Sequence, residues 1–161
     1  MSKPNGVTAA VIAPVQAPYT LLRAKILVPA VPDGLVARPH LLGRLDAGLP
    51  ITLVTDVPGS GKTTLLAQWA HGQEQPVAWL ALDELDNDLP RFLAYLIAAI
   101  QHADAATPQA TTETTLTAAL NALAAAPMTL ILDNYQMISN AAIYDATTFI
   151  IRHLPPNARL I

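Results

Sequence analysis

The sequence predicts an α/β domain whose mostly parallel sheet is covered by helices on both faces, a three-layer arrangement. Three observations predict it. Short apolar runs alternate with longer helical segments, which calls for crossover connections and parallel strands. The runs are apolar at consecutive positions, as at Leu130, Ile131 and Leu132, the pattern of strands buried on both faces. The chain has 161 residues, 52% apolar and 13% charged, enough for one core and too hydrophobic for a disordered chain.

The elements follow from local signals. Residues 1–20 hold Lys3, Pro4, Pro14 and Pro18, with an apolar stretch too short for a signal peptide, and read as a disordered arm. Residues 21–28 form a short apolar segment carrying Arg23 and Lys25. Pro29, Pro32, Asp33 and Gly34 make a loop. Pro39 opens a helix to about Leu45, because its fixed φ suits the first helical turn. Residues 51–55 read as a buried strand and 62–70 as a helix ended by Gly72. A second strand covers 77–82. Asp88 caps a helix with Pro90 in its first turn, running to about His102. A polar loop is expected at 105–112 and an Ala/Leu helix at 115–125, stopped by Pro127. Residues 128–133 are a third strand. Asn140 caps a helix that ends before Pro155 and Pro156, and 159–161 begin a fourth strand.

Composition excludes several functions. Nine basic and twelve acidic residues leave a net charge of −3, which argues against a free-standing basic nucleic-acid binder. With no cysteine, a disulfide scaffold and a cysteine-ligated metal are excluded, and the cytoplasm is the expected compartment. The mean hydropathy is +0.36, yet no window offers roughly 18 uninterrupted apolar residues, so no membrane span is expected. Much of the apolar excess is alanine, as at 122–126.

The strongest motif is Asp56-Val57-Pro58-Gly59-Ser60-Gly61-Lys62-Thr63-Thr64, between a predicted strand and a predicted helix. That context makes it a Walker A phosphate loop. Gly59 and Gly61 permit the tight turn that aims backbone N–H groups inward, and the helix brings its positive end to the phosphates. Lys62 is placed to reach the β- and γ-phosphates, and Thr63 to put its hydroxyl on Mg²⁺. One position departs from the usual pattern: Asp56 stands where the first glycine is expected. Its carboxylate is unfavourable near a polyphosphate unless it points away.

A nucleotide site of this type also needs an acid at the end of another strand, and Asp133 closes the apolar run Met128-Thr129-Leu130-Ile131-Leu132. It is the Walker B candidate. Asn134 follows, where many hydrolysing proteins carry a second carboxylate. An amide hydrogen-bonds water but does not take its proton at neutral pH, so hydrolysis is expected to be weak or absent while binding persists.

From Leu21 to Ile161 the chain resembles the N-terminal part of the MalT-like STAND NTPases, the ATPase modules of many LuxR-type transcriptional regulators. The resemblance rests on Leu21-Leu22-Arg23-Ala24-Lys25, on Leu35-Val36-Ala37-Arg38-Pro39-His40-Leu41-Leu42 and on the loop through Leu66. It continues in Trp79-Leu80-Ala81-Leu82-Asp83-Glu84 with Asp86-Asn87-Asp88, Arg91-Phe92-Leu93, Leu130-Ile131-Leu132-Asp133-Asn134-Tyr135 and Leu154-Pro155-Pro156. It implies a P-loop NTPase domain over 21–161 that binds ATP or ADP with Mg²⁺ and switches with the nucleotide. It implies that Val36, Arg38 and Pro39 lie near adenine, that Pro58, Gly59, Ser60, Gly61, Lys62, Thr63 and Thr64 hold phosphate, and that Asp133 associates with Mg²⁺. The family usually has a small residue at 56, an acid at 134 and often histidine at 136; here they are Asp56, Asn134 and Gln136. Such regulators continue well past the equivalent of Ile161, so the resemblance implies a truncated chain with a sheet incomplete at its C-terminus. Exposed edges then make self-association an expected partner mode. No DNA contact is expected from this segment.

The remaining signals read more simply. Asp83, Glu84, Asp86 and Asp88 lack the glycine and closing glutamate of a calcium loop and read as a solvated loop with a helix N-cap. His40, His71, His102 and His153 show no metal-ligand spacing. Trp69, Trp79 and Phe92 read as core, and Arg152 and Arg159 as surface residues. Two other functions remain open: a non-catalytic interaction fragment that keeps the fold, and a small P-loop kinase. The kinase needs an arginine-rich lid, and Arg91 is the single arginine between 83 and 128.

Overall fold

The computed structural model describes residues 20–36, 38–103 and 115–161. The expected disordered arm, apart from residue 20, and the polar loop at 105–112 lie outside these residues.

Helix α1 (Pro39–Leu45) starts on its proline, as expected. Helix α2 (Lys62–His71) runs from Gly61 to Gly72. Strand β1 (Val77–Ala81) leads through a 3-10 turn at Glu84–Asp86 into helix α3 (Leu89–Ala103). The Asp88 side chain accepts the Arg91 N–H at 3.1 Å, the expected cap. Helix α4 (Leu116–Ala125) is capped by Thr115, whose side chain accepts the Ala118 N–H, and helix α5 (Ala141–Arg152) by Asn140, which accepts the Ala142 N–H. Between them lies strand β2 (Met128–Asp133), and the chain closes on strand β3 (Ala158–Leu160).

The three strands form a parallel sheet in the order β1-β2-β3. Ile51 adds a parallel bridge to Leu160 on the far side of β3. The 50–52 segment thus lies next to the last strand, although the two are distant in sequence. Residues alternate between the two faces, and each face has its own core. Ala78, Leu80, Met128 and Leu130 pack with Phe92, Tyr95, Leu96, Ala99 and Ile100 of α3, and with residues of α4 and α5. The spacing of the α3 residues is that of one helical stripe. Trp79 and Ile131 point the other way, onto Leu45 of α1 and Leu65, Leu66, Trp69 and Ala70 of α2. Trp69, Trp79 and Phe92 are core residues, as the sequence predicts.

Three expectations are corrected. Residues 51–55 are not a buried strand. Pairing is confined to Pro50, Ile51 and Thr52 against Leu160, and Ile51 and Leu53 are 43% and 85% exposed. The run is apolar enough for a central strand, but among the described residues it has a neighbour on one side only. The acidic cluster is not simply solvated either. Asp86 is fully buried, in contact with Lys25 and 3.3 Å from Arg91 Nε. Arg159 is not a free surface arginine: it stacks 5.3 Å over the Trp69 ring and donates to the Leu45 carbonyl at 2.6 Å, which ties β3 to α1.

Candidate functional site

In open parallel sheets, ligands bind beyond the carboxyl ends of the strands, near the point where the chain changes direction across the sheet. Here that region is the exit of the 50–52 segment and of β2. The chain steps from 50–52 to β1 at the opposite edge, then returns through β2 to β3. The glycine loop and Asp133 both lie at this end.

The loop turns on its glycines. Gly59 has φ of 80° and Gly61 φ of 85°, and Gly61 is the left-handed N-cap of α2. A side chain at either position would be strained. Helix α2 begins at Lys62, so the N–H groups of its first turn emerge at the loop, a setting that favours anions. Lys62 Nζ sits inside the loop's curve, donating to the carbonyls of Asp56 at 2.9 Å and Val57 at 3.1 Å. The Asp56 side chain is turned onto its own loop, where Oδ1 accepts the Val57 N–H at 2.8 Å. Asp56 also has no positive φ, so a glycine is not required there by backbone geometry.

Thr63 and Asp133, 70 residues apart, meet directly. Thr63 Oγ1 donates to both carboxylate oxygens of Asp133 at 3.0 Å. Asp133 is only 5% exposed. Burial pushes its carboxyl above the ordinary value of 3.8, against the opposing pull of the Thr63 hydroxyl, the Asn134 N–H and the Lys62 charge. An oxygen-only pair, one hydroxyl and one partly uncompensated carboxylate, suits a hard divalent cation such as Mg²⁺.

On the other side of α2 the chain forms an open recess of about 160 Å³, lined by Leu35, Val36, Arg38, Gly61, Thr64, Leu65 and Gln68. Arg38 Nη1 donates to the Ser60 carbonyl at 2.9 Å, which fastens the segment before α1 to the loop. Val36, Arg38, Gly61 and Thr64 therefore share one recess, while Pro39 opens α1 and is not among its lining residues. Pro58 and Ser60 lie in the loop itself, and Ser60 Oγ is buried without a hydrogen-bond partner.

Two features escaped the sequence reading. One is the ionic cluster at the β1 exit. Lys25, only 7% exposed, bonds Asp86 and Asp83, the latter at 2.9 Å, and lies 4.9 Å over the Tyr95 ring. Tyr95 Oη in turn accepts the Leu22 N–H at 3.0 Å. Burial works upward on the Asp83 carboxyl, but the Lys25 hydrogen bond, the Leu85 N–H and the nearby positive charges outweigh it and hold it below its ordinary value. The other is Asn87, whose side chain links the β1 and β2 exits. The signals for them were Lys25 in an apolar segment and Asn87 before a helix, both within stretches that carry the family resemblance.

No helix among the described residues is long and apolar enough to cross a membrane. No protein-family model matches the chain. The chain is similar to the HTH-type transcriptional regulator MalT of Klebsiella pneumoniae subsp. pneumoniae, with 36% identity over 156 aligned residues, 88% of this chain and 17% of that protein. It therefore spans a small part of that relative's length and bears a MalT-like relationship to a transcriptional regulator.

Proposed function

We propose that the chain is the nucleotide-binding module of a STAND-type P-loop NTPase, in the three-layer fold of that class, holding ATP or ADP with Mg²⁺. Its role is a nucleotide-controlled switch within transcriptional regulation. The observation that carries this reading is the contact between Thr63, at the start of the helix after the Gly59/Gly61 turn, and Asp133, at the end of a parallel strand. A hydroxyl and an acid at those two points form the oxygen set that P-loop proteins use for Mg²⁺. The relationship to a transcriptional regulator supports the biological setting.

The roles follow from position. Lys62 exchanges its bonds to the Asp56 and Val57 carbonyls for phosphate oxygens. The amides of Gly59, Ser60, Gly61, Lys62, Thr63 and Thr64 cradle the phosphates, with Pro58 shaping the turn. Thr63 and Asp133 hold Mg²⁺, which supplies charge neutralisation for the polyphosphate when bound. Val36 and Arg38, with Pro39 behind them, face the base in the recess beside α2. Asn134 has no carboxylate with which to take a proton from water, so hydrolysis is weak or absent.

A second reading, a non-catalytic interaction fragment, draws on Asp56 and Asn134, two of the three departures from the expected pattern. A small kinase is disfavoured, since Arg91, the single arginine between 83 and 128, bonds the buried Asp86.

Thermal unfolding with Mg-ATP and Mg-ADP tests the proposal, with Lys62→Ala as control. Binding to the folded state stabilises it by about 2.7 kcal/mol at a hundredfold excess over Kd. The expected result is a rise in Tm of several degrees in the parent that disappears in the variant. A folded parent with no shift would sink the nucleotide reading and leave the interaction fragment.

A further inference from the structure

We infer that Asn87 is a positioning residue for the Mg²⁺ side of this site: it pins the segment after Asp133, and so sets how that carboxylate is presented. The inference rests on the nucleotide reading above.

Asn87 follows the Glu84–Asp86 turn at the exit of β1. Its side-chain amide donates to the Glu84 carbonyl at 3.1 Å and to the Met137 carbonyl at 2.9 Å. Its Oδ1 accepts the N–H groups of Ser139 at 2.6 Å and Asn140 at 3.0 Å, and the Ser139 hydroxyl at 3.4 Å. Its main-chain carbonyl accepts Asn140 Nδ2 at 2.8 Å. Both N–H donors and both lone-pair directions of the amide are thus engaged, the full capacity of an asparagine side chain. Three of the four groups bonded to its side chain across the sheet belong to the backbone of residues 137–140.

That backbone leads straight back to the site. Asn134 has φ of 61°, the one positive φ outside glycine among the described residues. Its carbonyl accepts the Met137 N–H at 2.9 Å, which closes the 3-10 turn Tyr135–Met137. Asn134 follows Asp133 directly in the chain, so the turn begins next to the residue that carries the carboxylate. The turn is therefore held at one end by β2 and at the other by Asn87. A left-handed residue keeps its conformation only where its surroundings hold it. Released from Asn87, the turn loses its downstream anchor, and the chain that leaves Asp133 is no longer fixed in direction.

An asparagine that only anchored the start of α5 would affect all ligands alike. One that orients Asp133 affects the part of the affinity that depends on Mg²⁺. The test is ATP affinity of the full chain, by calorimetric titration, with Mg²⁺ and with EDTA, for the parent, Asn87→Ala and Asn87→Asp. In Asn87→Ala the gain in affinity that Mg²⁺ confers is expected to fall about tenfold, the low end of what loss of an outer-shell partner costs a metal site. Affinity in EDTA stays nearly unchanged. Asn87→Asp keeps the acceptor for Ser139 and Asn140 and loses the donors to Glu84 and Met137, so it recovers part of the gain and serves if the alanine variant does not fold. Amide exchange at Ser139 and Asn140 speeds up in Asn87→Ala without nucleotide. An unchanged Mg²⁺ gain in a folded variant, or an equal loss with and without Mg²⁺, overturns this inference alone. A parent that binds no ATP overturns the nucleotide reading together with it.

Discussion

Asp133 carries a cost that its proposed role in holding Mg²⁺ would explain. A carboxyl buried beside one lysine and one hydroxyl is held above its ordinary value of 3.8, so between that value and its raised one the folded state binds more protons than the unfolded chain. Stability from this group is therefore greatest at low pH and falls as pH rises through the window. Asp133→Asn removes the charge and keeps an oxygen for Thr63 to donate to. The variant without ligand is expected to unfold at higher temperature than the parent at neutral pH, with the difference closing as pH drops below the ordinary carboxylate range. Thermal melts across a pH series check this. A variant less stable than the parent at neutral pH would mean that the ionised carboxylate is already well compensated. The Asp56 carboxylate, by contrast, is exposed and accepts the Val57 N–H.

At the scale of elements, the segment around the 3-10 turn Arg23–Lys25 is held to the sheet by the apolar packing of Leu21 and Ile26 and by a buried ionic cluster. Lys25 reaches Asp83 and the fully buried Asp86, and Arg91 supports Asp86 from α3. Removing one partner of such a pair leaves the other charged and buried, which costs on the order of 3–5 kcal/mol. Lys25→Met keeps the aliphatic stem and removes the charge. It is expected to lower the urea midpoint with an unchanged m-value, toward the lower end of that range because Arg91 remains on Asp86. A shift within the scatter of ordinary surface substitutions would show that Arg91 alone compensates Asp86. Asp83 adds a pH signature of the opposite sign to that of Asp133. Its lowered value means stability is present above the ordinary carboxylate value and lost as pH falls from there through the lowered one.

At the scale of the whole molecule, the sheet is covered on both faces, and among the described residues the 50–52 segment forms an open edge beyond β3. The bonds of 50–52 go to Leu160 on one side, and beyond them Leu53 is 85% exposed. An apolar, unpaired strand edge is a template for another strand, and a second copy of the chain offers the same edge. Sedimentation velocity over a concentration series is expected to show association, and Leu53→Lys to shift the chain toward monomer, since an edge lysine opposes pairing. A parent that stays monomeric at the highest concentrations would show that this edge is protected in solution.

The sequence by itself determined where most helices start and stop, the extent of β2 and the left-handed turns at Gly59 and Gly61. Pro39, Thr115 and Asn140 open their helices, Gly72 closes another, and 128–133 is a strand with the expected bounds. These features depend on contacts within a few residues: a cap to its own first turn, a glycine to its own φ, an apolar run to its own periodicity. The tertiary structure alone decided the fate of Asp86, Arg159, Asn87 and the 51–55 run. A carboxylate reads as solvated until Lys25, 61 residues earlier, is folded against it. An arginine reads as surface until Trp69 and the Leu45 carbonyl arrive beside it. An apolar run becomes a central strand only if neighbours occupy both sides, and here the pairing comes from Leu160. In each case residue type specifies what a group can bond, and the long-range path of the chain decides which partner stands there and how much water is left.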